Sequence, residues 1–277
     1  MSFFGNFFTA LIEHSFLQSA VLAGVLSSIV CGTVGTYVYV RRISYIAGGI
    51  THSVLGGMGI AFFLGRSPMM GALITAVLAA LLIGWITLKF KQHEDTLISA
   101  LWSVGMAIGV LFLSKSPESG VDLMSFLFGN ILMVGQAQLW TMLILVVFVL
   151  LLVFVLYRQF QSISFDPEFT WIRGLPVSWL YLLLLCLIAV TSVILIQMVG
   201  MILVIALLTL PAALASLHAR TLGKIMIYAS LYGVLFSFGG IALSYEPDLP
   251  TGATIIVLAG GAYLVGLVAR TLIDRRV

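Results

Sequence analysis

The sequence predicts an all-α, polytopic membrane protein with eight to nine transmembrane helices, and three observations predict it. Hydrophobic residues make up 61% of the 277 residues and charged residues only 8%, with a mean hydropathy of +1.19. That composition excludes a soluble globular chain. The apolar residues are grouped into runs free of Asp, Glu, Lys and Arg, most of them as long as the roughly 20 residues of one helical crossing. The basic residues fall between these runs with a one-sided bias.

Taken in order, residues 1–14 read as an amphipathic lead-in with Glu13 and no Lys or Arg. They lack the basic start and small-residue cleavage site of a signal peptide and are expected to stay in the mature protein. Uncharged runs follow at 15–40, 43–65, 67–88, 96–114, 123–157, 174–217, 225–245 and 249–269. The run 174–217 is long enough for two crossings broken near Gln197-Met-Val-Gly200, and 123–157 suits a short re-entrant or surface helix followed by one crossing. The count is nine spans, with eight as the alternative, forming a single transmembrane domain over 1–277.

The basic residues favour nine. With nine crossings one side receives Arg41, Arg42, Lys89, Lys91, Arg158, Arg173, Arg220, Lys224, Arg270, Arg275 and Arg276, and the other receives only Arg66 and Lys115. The first side is therefore assigned to the cytoplasm, with the N-terminus outside and the C-terminus inside. The acidic residues divide evenly, as a rule that reads only Lys and Arg allows.

Within the second run, ISYIAGGITHSVLGGMGIAFFLG, the only ionisable group of the Asp, Glu, Lys, Arg and His set is His52, near the middle. A titratable side chain at that depth marks function by default, and the alternative is a buried imidazole bonded to a helix carbonyl. Gly48, Gly49, Ser53, Gly56 and Gly57 surround it. Residues 49, 53 and 57 recur every four positions and make one face slim enough for close helix approach. These residues read as the lining of a pathway, and Asn130 in SFLFGNILMVG as a polar group of its outer vestibule.

The longest inside loop, 159–176 (QFQSISFDPEFTWIRGLP), is punctuated as a helix. Asp166 caps it, Pro167 takes the first position, Glu168 the first turn and Arg173 the last, and Gly174 and Pro176 end it. It displays Phe169, Trp171 and Ile172. Such a helix either lies on lipid headgroups or docks a cytoplasmic partner.

Other features carry less. Pro211 is expected to break or kink its span, which neighbouring helices can compensate, or else to serve packing alone. His93-Glu94-Asp95 has metal-ligand chemistry but reads as a solvated helix start beside Lys89 and Lys91. Cys31 and Cys186 lie inside apolar runs and act as small hydrophobes. Glu118, Asp122, Glu246 and Asp248 give the outer face an acidic character. There is no GxxxxGK[ST] phosphate loop, so active transport would draw its energy from another subunit or an ion gradient. Nothing points to a nucleic-acid partner or to enzyme chemistry.

The stretches RRISYIAGGITHSVLGG, VDLMSFLFGN, FDPEFTWIRGLPV, VGMILVIALLTLPAALA and LSYEPDLPTGATIIV, from Arg41 to Val257, resemble the membrane subunit of bacterial ABC importers for divalent metals. The resemblance implies a type II importer-like permease in the bacterial plasma membrane. It further implies a homodimer clamped by two cytoplasmic ATPase subunits, which bind the ATP, and fed by an extracytoplasmic metal-binding protein. No cofactor is held permanently, and zinc, manganese or ferrous iron is the cargo. FDPEFTWIRGLP then matches the coupling helix, with Asp166, Pro167, Glu168, Phe169, Trp171 and Gly174 as its coupling residues. The family's G-D-A-[IL]-S-H matches Ala47-Gly48-Gly49-Ile50-Thr51-His52, so the histidine is kept and Gly48 stands where the Asp would be. His52 and the Thr51 hydroxyl are the expected metal contacts. A permease for an iron chelate or cobalamin, and a proton-coupled secondary transporter using His52 as a relay, are the alternatives. The second is disfavoured because the spans contain no acids.

Overall fold

Apolar runs that cannot leave backbone groups unpaired in lipid must form helices, and the computed structural model of the chain shows only helices and turns among the described residues, which are 3–90, 94–116, 129, 131–247 and 249–274. In order they are α1 (Phe3–Glu13), α2 (Ser15–Val40), α3 (Ser44–Phe63), α4 (Pro68–Lys89), α5 (Glu94–Ser114), a 3-10 turn (Ile131–Met133), α6 (Gln136–Val155), α7 (Tyr157–Phe165), α8 (Pro167–Ile172), α9 (Val177–Val199), α10 (Met201–Ser216), α11 (Leu222–Tyr245) and α12 (Thr251–Asp274). Among the described residues, α2, α3, α4, α5, α6, α9, α11 and α12 are long and apolar enough to cross a membrane, and α10 is a shorter apolar helix. The expected break in the run 174–217 falls at Gly200. Its φ of 83° lies in the left-handed region, where glycine carries no Cβ penalty. Pro211 does not interrupt α10, which continues through it to Ser216. Of the readings open for Pro211 the break does not occur: the residue is buried, and its missing N–H forfeits one bond without ending the helix.

The chain divides into two compact units. The first comprises Met1–Tyr39, Met124–Leu151 and Leu195–Val277. Here small residues let helix backbones meet. Gly233 sits against Ser28, where an added Cβ would lie 3.0 Å from the Ser28 Cβ, and the Ser28 and Ser237 hydroxyls pair at 3.1 Å. At one end of this unit the Ser216 hydroxyl donates to the Tyr39 phenol oxygen (2.9 Å) and Arg270 donates to the Leu217 carbonyl (2.6 Å). At the other end of α11, Phe7 of α1 packs edge-on against Phe238 and Tyr245. Arg220 and Lys224 thus share an end with Arg270, and α1 lies away from them.

The second unit comprises Val40–Leu123 and Leu152–Ile194. Its centre is α3, 78% of whose apolar window is buried although the helix is rich in glycine. Glycine costs helix propensity, so its recurrence here is explained by contact. A Cβ at Gly56 would lie 2.8 Å from the Gly105 carbonyl oxygen of α5, and one at Gly105 would lie 2.8 Å from the Ser53 Cα. Gly57 meets Gly71 and Thr75 of α4 in the same manner. By contrast only 11% of the apolar window of α5 is buried, so its outer face is left for lipid or another chain.

Candidate functional site

His52 lies on α3, half-buried, and its imidazole stacks on the indole of Trp102 from α5 with ring centroids 4.0 Å apart and planes inclined by 10°. The close approach of α3 and α5 at Gly56 and Gly105 makes this possible. The indole is itself held. Its Nε1–H donates to the Met106 sulfur (3.0 Å), and Tyr45, two turns before His52, leans on it at 6.2 Å with its phenol bonded to Ser99. The His52 Nδ1 is buried with no hydrogen-bond partner among the described residues. An imidazole placed only for packing would be expected to bond a helix carbonyl, because an unpaired buried nitrogen costs stability.

The other expected site residues are distributed around this ring. The Thr51 hydroxyl is buried and donates to the Ala47 carbonyl (2.7 Å), which leaves its oxygen lone pairs unspent. Ser53 donates to the Gly49 carbonyl (2.7 Å). Gly49 faces Ile98, and Gly56 faces Gly105, so both lie in the α3–α5 contact. Ser53, Gly56 and Gly57 also line an apolar groove of about 250 Å³ with Thr75, Leu101 and Ile108. Gly48 differs from its neighbours: a Cβ there would meet nothing within 4 Å. Asn130 lies outside the described residues. No cluster of three or more His, Cys, Asp or Glu capable of holding a metal ion occurs among the described residues, and His93 lies outside them. Sequence reasoning missed Trp102 and Tyr45. The one available signal was the seven-residue spacing of Tyr45 and His52, which places both on one helix face.

The punctuated loop folds as its residues dictate. The Asp166 carboxylate accepts from the Phe169 N–H (2.9 Å) and caps α8, with Pro167 at its first position and Glu168 in its first turn. The Gly174 N–H donates to the Trp171 carbonyl, with φ 77° at Gly174, and the Leu175 N–H donates to Thr170, closing the helix. Thr170 shares a 2.6 Å hydrogen bond with Ser162, tying α8 to α7. Arg173 lies over the Phe169 ring at 4.5 Å. Phe169, Trp171 and Ile172 remain exposed, and Pro167, Glu168, Trp171, Ile172 and Val177 surround an apolar depression of about 490 Å³. An exposed, rigidly capped aromatic patch is a surface built for a partner or for the membrane interface.

Helices long and apolar enough to cross a membrane, a histidine without a carboxylate in its own helix and a capped loop helix define a polytopic membrane protein. A sequence profile of the ABC 3 transport family matches residues 13–270. An uncharacterized membrane protein of Synechocystis sp. is 41% identical over 259 residues, covering 94% of this chain and 92% of that one. The manganese transport system membrane protein MntC of Halalkalibacterium halodurans is 36% identical over 253 residues, covering 91% and 87%. Among solved structures, PsaBC from Streptococcus pneumoniae in complex with Fab superposes with a TM-score of 0.86 at 31% identity, covering 95% of each chain. The chain belongs to the ABC 3 transport family.

Proposed function

We propose that this protein is the permease subunit of an importer for a divalent transition-metal ion, working by alternating access in the bacterial plasma membrane. The observation that carries this reading is the buried, unpartnered Nδ1 of His52 in a span without carboxylates. Two copies related by a two-fold axis would bring two imidazoles to one ion, with water or the Thr51 hydroxyl completing the shell. Ligation of this kind is weak enough to release the cargo. ATP is hydrolysed by separate cytoplasmic ATPase subunits that dock on α8, and an extracytoplasmic binding protein delivers the ion to the acidic outer face. The bias of the basic residues supports an outside N-terminus and a cytoplasmic C-terminus.

Zinc, manganese and ferrous iron are the candidate ions. Nitrogen ligands lean towards zinc or iron, whereas the name of the Halalkalibacterium relative supports manganese. The same name supports a bare ion over an iron chelate or cobalamin. The test is elemental analysis of the purified permease–ATPase complex after loading with each metal, for the native chain and for His52→Ala. Retention of about one ion per dimer, lost in the variant, is expected. Equal retention in both chains overturns the reading of His52 as a ligand.

A further inference from the structure

We infer that Trp102 is a positioning residue for the transported ion: its indole face supports the neutral His52 imidazole as a bound dication polarises it, and fixes the plane in which Nδ1 is offered. The inference rests on the reading of His52 as a metal ligand. Parallel stacking of two neutral rings gains little electrostatically, because their quadrupoles repel unless the rings are offset. An imidazole that shares the charge of a bound dication is attracted to an indole face, and the attraction grows where water is excluded. The observed 4.0 Å separation and 10° inclination lay the imidazole flat on the indole face, where that attraction would act once an ion is bound.

Three further observations agree. The indole is preorganised by Met106 and Tyr45, so loading an ion need not reorder it. It covers one face of the imidazole and leaves the ring-edge Nδ1 without a protein partner. No Asp or Glu occurs anywhere in α3, so the electron-rich group facing His52 is the π-face of Trp102. A quadrupole attracts a cation less than a carboxylate does, and a pathway that must release its ion benefits from the weaker hold.

Gly48 supplies the test. It lies one helical turn before His52 on the same face, and a side chain there enters open space. Metal retention and uptake are measured with zinc, manganese and ferrous iron on the assembled permease–ATPase complex. Trp102→Ala is expected to weaken metal retention about thirtyfold, the scale of a desolvated cation–π contact, and Trp102→Phe to give an intermediate value. Adding Gly48→Asp to Trp102→Ala is expected to restore retention, because a carboxylate takes over the electrostatic role. Gly48→Asp alone is measured as well, because a carboxylate there can itself ligate the ion; the role of Trp102 requires that Gly48→Asp raise retention more in Trp102→Ala than in the native background. Native retention in Trp102→Phe and Trp102→Ala, with loss in His52→Ala, overturns the role of Trp102 and leaves His52 as a ligand. A defect in Trp102→Ala that Gly48→Asp does not repair also overturns it. Retention unaffected by His52→Ala removes the reading of the ligand itself, and the role of Trp102 falls with it.

Discussion

The guanidinium of Arg41 donates a 2.8 Å hydrogen bond to the Ile163 carbonyl, 122 positions further along the chain, while lying 4.7 Å over the ring of Tyr181. One side chain thus joins the turn after α2 to the end of α7 and the first turns of α9, all within the second unit. Burial lowers the Arg41 pKa from its ordinary value, and Tyr181 opposes that shift. The charge is retained at neutral pH because arginine starts so high. Arg41→Ala removes a charge-assisted bond worth about 1.5–3 kcal/mol to a buried carbonyl. Its expected signature is a lower thermal unfolding midpoint in detergent and faster proteolysis within 159–176. Arg41→Lys recovers the charge but not the planar stacking, so it falls between.

The contact of α3 with α5 predicts opposite outcomes for neighbouring glycines. Gly56→Ala and Gly105→Ala each drive a Cβ into backbone at 2.8 Å, so the helices must separate, at a cost of about 1–3 kcal/mol. Gly48→Ala meets nothing within 4 Å and gains up to about 1 kcal/mol of helix propensity. Melting midpoints of the three variants are expected to fall, fall and hold or rise. If the midpoint of Gly105→Ala is unchanged, the close approach is not maintained in solution.

Much of the fold was legible in the sequence because a membrane imposes length and apolarity on each crossing. The spans, the break at Gly200 and the capping of α8 by Asp166 followed from composition, one glycine and local side-chain chemistry. Four helix ends extend beyond their uncharged runs: α4 to Lys89, α5 back to Glu94, α11 back to Leu222 and α12 to Asp274. Helix α11 starts at Leu222 because Lys224 is tolerated, exposed, in its first turn, and α12 runs past Arg270 because that side chain reaches the Leu217 carbonyl. The stack on His52 was not legible. Trp102 belongs to another helix, and a tertiary contact leaves no periodicity in either segment. Nearness to His52 in the sequence grouped Gly48 with Gly49 and Gly56 as pathway lining, yet only three-dimensional packing distinguishes the open glycine from those that touch α5.

The α8 surface separates folding from docking. Asp166→Ala removes the cap and is expected to cost about 1 kcal/mol of local stability, read as faster amide exchange across 167–172 and weaker ATPase binding. Asp166→Ser keeps a capping oxygen and both properties. Trp171→Ala leaves the cap intact, so exchange is unchanged, but it removes a ring that is 74% exposed. If α8 is the docking element, ATPase affinity falls at least tenfold, as for an aromatic anchor. Unchanged affinity would assign the patch to the lipid interface instead.

The proposed orientation can be read with single cysteines in a background lacking Cys31 and Cys186. Lys115, Glu168 and Arg220 are all exposed, so cysteines there are accessible to reagent. The nine-traversal arrangement places Lys115 outside and the other two in the cytoplasm, since only that count gathers Arg41, Arg158, Arg173, Arg220 and Arg270 on one side. A membrane-impermeant maleimide applied to intact spheroplasts is expected to label Lys115→Cys alone, and all three after permeabilisation. An eight-crossing chain in which α10 does not traverse would place residues 168 and 220 on opposite sides. Labelling of Arg220→Cys but not Glu168→Cys from outside would therefore select that topology, and with it would put Arg220, Lys224 and Arg270 on the outer side of the membrane.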